Sequence, residues 1–100
     1  MLNDVQLPQI AAIFKAMGEV SRLRLLQQLM LKQERSVGEL AELTGLSQAN
    51  VSKHLKNLAI ADLVATRREG NSIYYRIHNS IVKEICQICC TRIEEGVLLG

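Results

Sequence analysis

Three cysteines stand within five positions of one another late in the chain: Cys86, Cys89 and Cys90. On a helix they are related as i, i+3 and i+4, so their sulfurs should project over one patch. Three soft ligands on one patch suit a thiophilic ion. Trivalent arsenic or antimony takes three thiolates in a pyramid, and the number matches. Structural zinc wants four ligands and finds no fourth nearby. Cadmium and copper(I) stay in range, and a two-fold partner could add ligands across an interface. The same thiols have two other readings. One is a redox sensor. A Cys86–Cys90 disulfide inside an intact helix is strained, because Cβ atoms about 5–6 Å apart exceed the roughly 3.8 Å that a disulfide prefers. An intersubunit disulfide or a polysulfide bridge would relieve that mismatch. The other reading is plain packing, with cysteine as a small core hydrophobe.

A second stretch, residues 46–58, carries different chemistry. Leu46 and Ser47 form a helix-start signal. At about 100° per residue, Val51, Leu55 and Leu58 fall on one side. Gln48, Ala49, Ser52, Lys53 and Lys56 fall on the other, which holds an amide, a hydroxyl and two ammonium groups and no acid. Such a face suits the major groove of double-stranded DNA. Ser47, Ala49 and Asn50 belong to the same candidate surface. Gln48 can pair two hydrogen bonds with adenine, Lys53 and Lys56 suit phosphate or guanine, and Ser52 suits either base or phosphate. His54 lies nearer the apolar stripe, where a packing role competes with a phosphate contact.

The elements that must position these groups follow from composition and period. One hundred residues make a single domain, 1–100. Its core is aliphatic, since the aromatics are only Phe14, Tyr74 and Tyr75. A core this small is commonly enlarged by dimerisation. The net charge of +2 is small, but residues 47–76 hold five basic against two acidic residues and the remainder is slightly acidic. Positive charge therefore collects around the candidate DNA-facing helix. The first residues have neither the basic nor the apolar segment of a signal peptide. No apolar run is long enough to span a membrane. Three clustered cysteines are no disulfide framework, so a reducing cytoplasm is expected. There is no glycine-rich phosphate loop, and His54 and His78 sit on different elements. No catalytic constellation is present, and an enzyme is not expected.

Taken in order, Pro8 suits the first turn of a helix over about 7–17, and Gly18 ends it. A second helix covers about 21–32, and residues 33–35 read as a polar break. Ser36 with Glu39 has the capping-box pattern and opens a short helix to about Leu43. Thr44, Gly45 and Leu46 make the turn into the helix of residues 47–59, giving helix, glycine turn, helix. The period then becomes two. Residues 63–68 and 72–77 read as strands joined by Glu69, Gly70 and Asn71. Arg67, Arg68 and Arg76 on this hairpin suit phosphate or the minor groove, and Tyr74 could touch the backbone. Asn79 or Ser80 should cap a last helix over about 80–95. Its broad apolar surface suggests cover from the core on one side and a symmetry mate on the other. The tail, Val97 to Gly100, is short and apolar. The fold class is mainly α with a small β-hairpin (α+β), in the order ααααββα.

Four stretches together resemble one known family: residues 21–26, 37–41, 46–55 and 67–77. In their order and content they are similar to the ArsR/SmtB metalloregulators, over about residues 10–95. The resemblance implies a dimeric winged helix-turn-helix repressor that binds imperfect palindromes and releases them when an inducer binds. It implies that the recognition helix is near 47–59, the wing is 63–77, and the helices near 7–17 and 80–95 form the homodimer interface. It also bears on the inducer. Many members carry a cysteine pair on the first helix of the motif, and here Ser36 and Gly38 stand in those places. Others hold zinc between the last helices. The matching positions here are Asn79, Ile81, Arg92 and Glu95, of which only Glu95 could coordinate. What remains is Cys86, Cys89 and Cys90, with As(III) or Sb(III) as the favoured inducer and a persulfide or oxidant as the alternative.

Overall fold

A computed structural model describes residues 1–96; the expected apolar tail, Val97 to Gly100, lies outside the described residues. Each helix begins where a polar side chain can meet free amides. Asn3 Oδ1 accepts from the amides of Val5 and Gln6, and Gln6 Oε1 accepts from the Asn3 amide. This pair opens α1 (Gln6–Met17). Glu19 Oε2 accepts from the Arg22 amide at 3.0 Å and opens α2 (Val20–Leu31). Ser36 and Glu39 form the expected capping box at the start of α3 (Val37–Thr44). Gly45 then takes φ 75°, a left-handed conformation that costs a side-chain-bearing residue about 1–2 kcal/mol. Ser47 Oγ accepts from the Asn50 amide at 3.1 Å and opens α4 (Gln48–Ile60). At the last helix, α5 (Ile81–Glu94), the cap is Asn79, whose Oδ1 accepts from the Ile81 amide.

One element was not expected. Arg35–Ser36 form a short strand, β1, joining the end of the stretch read as a polar break to the serine read as a helix cap. The order among the described residues is therefore ααβααββα. With β2 (Val64–Glu69) and β3 (Ser72–Ile77) it makes an antiparallel sheet in the order β1-β3-β2. Arg35 pairs with Tyr75 and Ser36 with Tyr74. A strand of two residues has no readable period, and its partners lie far along the chain, so no local pattern announces it.

The core lies where the helices meet the sheet. Leu25, Leu26, Leu40, Val51, Leu55, Leu58, Leu63 and Val82 are fully buried. Val51, Leu55 and Leu58 are the expected inner stripe of α4, so the opposite stripe faces outward. The last helix is attached more lightly than its composition suggests. Val82 is its buried residue, with Ile81, Ile85 and Cys86 packed partly against the core. Ile88 remains 62% exposed, and on α1 and α2 Phe14 remains 59% and Val20 63% exposed. The radius of gyration, 14.6 Å, exceeds the roughly 13 Å of a compact chain of this length. Among the described residues no helix is long and apolar enough to cross a membrane.

Candidate nucleic-acid interface and thiol groove

The outer face of α4 is built by the burial of its inner face. Ser47, Gln48, Ala49, Asn50, Lys53 and Lys56 are exposed, and Ser52 is half-buried. Among the described residues, neither Lys53 nor Lys56 takes part in an ion pair. Two ammonium groups, an amide and a hydroxyl thus stand together without a competing carboxylate. That arrangement can donate to phosphate and to base edges.

His54 sits at the seam between α4 and α2. Its Nδ1 is buried without a hydrogen-bond partner and lies 3.9 Å from Glu19 Oε2, too far for a hydrogen bond. The Glu19 carboxyl is held below the usual carboxylate range, first by the backbone amides of Ser21 and Arg22 and also by His54.

On the wing, the candidate residues divide. Arg68 is exposed and free of ion pairs among the described residues. Arg67 instead donates from Nε to both oxygens of Glu34, at 3.0 and 2.8 Å, and from Nη1 to Glu69 at 3.1 Å. Its guanidinium carbon lies 4.7 Å from the centre of the Tyr74 ring. Glu34 holds the Arg67 pKa well above the ordinary arginine value, with Glu69 second. In return Arg67 holds the Glu34 carboxyl low. Sequence reasoning did not find Glu34. It stands 33 positions from Arg67 in a stretch whose only local signal was polarity.

The cysteines line a groove of about 600 Å³ whose walls include Phe14, Met17, Leu23 and Ile93. Cys86 is half-buried, and Cys89 and Cys90 are exposed. Burial pushes the Cys86 thiol pKa up, and the neighbouring Cys90 and Cys89 thiols push it further. Among the described residues, no group of three or more His, Cys, Asp or Glu side chains is gathered closely enough to hold a metal ion. Cys86, Cys89 and Cys90 share that groove. Side chains at i, i+3 and i+4 leave Cβ atoms about 5–6 Å apart, and the adjacent Cys89 and Cys90 diverge by about 100°.

The sequence pattern of bacterial regulatory proteins of the arsR family matches residues 19–66. The HTH-type transcriptional regulator KmtR of Mycobacterium tuberculosis is 38% identical over 84 residues, which are 84% of this chain and 64% of that protein. The chain thus spans a little under two thirds of the length of that relative. The arsenical resistance operon repressor of Staphylococcus aureus is 33% identical over 79 residues, 79% of this chain and 75% of that protein. Among solved structures, the homodimeric winged helix-turn-helix DNA-binding domain Mb0332 of Mycobacterium bovis, a possible ArsR-family transcriptional regulator, superposes with a TM-score of 0.82. It is 32% identical and covers 95% of this chain and 90% of that one.

Proposed function

The chain belongs to the arsR family of bacterial regulatory proteins, and from that premise we propose that it is a dimeric DNA-binding transcriptional repressor governed by its C-terminal thiols. The observation that carries the reading is the outer face of α4, which is exposed, hydrogen-bonding and free of acid. Gln48 and Ser52, with Ala49 and Asn50 beside them, read base edges in the major groove. Ser47, Lys53 and Lys56 hold the DNA backbone, and Arg68 adds a contact from the wing. The operator is a palindrome, because a two-fold dimer presents two copies of α4. The dimer buries the apolar surface left open on α1 and α5, including Phe14 and Ile88. The homodimeric state of the Mycobacterium bovis domain supports this.

The inducer acts at Cys86, Cys89 and Cys90. Arsenite or antimonite is the leading class. The sulfur count supports it, as does the arsenical resistance named for the Staphylococcus aureus relative. Rotamer changes, or thiols from the second subunit, complete the pyramid. Exposure of Cys89 and Cys90 without a gathered triad favours a second reading, in which a persulfide or oxidant modifies these thiols. Titrating arsenite, antimonite, cadmium and a persulfide donor into the protein–DNA complex separates the two. Arsenite or antimonite should release DNA from the wild type and fail with Cys89→Ser. Release by the persulfide donor alone would select the second reading. A Cys89→Ser protein that responds like wild type to every agent would reduce Cys89 to packing.

A further inference from the structure

Arg67 on β2 stands directly across from Tyr74 on β3. On the other side of β3 lies β1, and Glu34 immediately precedes it. The Arg67 side chain leaves the outer strand, passes over the Tyr74 ring at 4.7 Å and ends on both oxygens of Glu34. It thereby spans all three strands of the sheet. Glu69 takes a further hydrogen bond from Nη1.

We propose that this contact is a clasp that fixes the angle of the wing, making Arg67 a positioning residue and not one of the wing's phosphate-binding charges. The inference rests on the DNA-binding reading above. Isolated surface ion pairs contribute little. This one is part of a network: Nε is shared between the two Glu34 oxygens, Nη1 reaches a second carboxylate, and an aromatic face lies under the cation. Two carboxylates surround the Arg67 guanidinium, and Arg76 adds a second positive charge near Glu34. A phosphate would have to displace Glu34 or Glu69 before it gained Arg67. Arg68 points to the opposite face of the strand and meets no such competition. Arg68 is then the wing residue whose contact with DNA releases counterions.

The test compares R67Q, E34Q, the R67Q/E34Q double variant and R68Q in the full chain. Two quantities are read: the slope of log affinity against log salt on a duplex selected from a random pool, and amide exchange of residues 64–77 without DNA. R68Q should flatten the slope by about 0.9. R67Q and E34Q should leave the slope unchanged and speed wing exchange by roughly two- to five-fold. The double variant should exchange no faster than R67Q alone, since R67Q already removes the contact that E34Q breaks. The proposal is overturned if R67Q flattens the slope as R68Q does, or if R67Q and E34Q leave wing exchange unchanged. Failure of the wild type to bind any duplex would sink the DNA reading instead. Exchange alone would then judge the clasp, and unchanged rates in R67Q and E34Q would overturn it.

Discussion

Replacing Leu55 with alanine should lower the free energy of unfolding by about 2–5 kcal/mol. Leu55 is fully buried on the inner stripe of α4, between Val51 and Leu58, which are also fully buried. Its removal takes away transferred apolar surface and leaves a cavity that the fully buried neighbours, Leu25, Leu26 and Leu40 among them, cannot readily fill. A domain of this size has only about 5–15 kcal/mol to lose, so the variant should sit near the edge of folding. Urea denaturation reads the effect directly, as a lower midpoint at an unchanged slope. Gln48→Ala, one turn from the same stripe but exposed, should change stability by less than about 0.5 kcal/mol. A Leu55→Ala protein less than about 1 kcal/mol below wild type would mean that α4 is not seated by this stripe.

The second large effect falls on binding and leaves stability alone. Lys53→Ala with Lys56→Ala should flatten the salt dependence of DNA affinity by about 1.8, or 0.9 for each phosphate contact. At low salt the loss should be on the order of 10- to 100-fold, and nearly equal for every duplex tested. Gln48→Ala should behave differently. It should cost about 1–3 kcal/mol on the duplex whose base it reads and little on others. Both lysines are exposed and free of ion pairs among the described residues, so nothing in the protein offsets their removal. Titrations of one selected and one scrambled duplex, at several salt concentrations, distinguish the two patterns. Equal losses on both duplexes for all three substitutions would remove the division between backbone and base contacts.

What could be read from the chain alone followed from interactions local in sequence. The inner stripe of α4 repeats every three or four residues, and Val51, Leu55 and Leu58 are all fully buried. Ser36 and Glu39 are three apart, and their reciprocal cap is present. Gly45 had to allow a positive φ, and it takes one. Contacts between distant residues were not legible. Strand β1 exists because Arg35 and Ser36 meet Tyr75 and Tyr74, and no pattern at residues 33–36 foretells those partners. Glu34 becomes part of the wing for the same reason. The thiols lie between these cases. Their spacing placed them on one side of α5, and all three line one groove. Whether sulfurs converge depends on rotamers and on what α1 and α2 place opposite, which spacing does not encode.

The account turns on the acid-free face of α4, and one measurement tests it most directly. Duplexes are selected from a random pool with the wild-type protein, and the selected and scrambled forms are titrated at several salt concentrations. The selected duplex should bind more tightly, its affinity should fall steeply and linearly on a log–log plot with salt, and Gln48→Ala should narrow the gap between the two forms. A wild-type protein with neither a sequence preference nor a salt slope would contradict the assignment of this face to DNA.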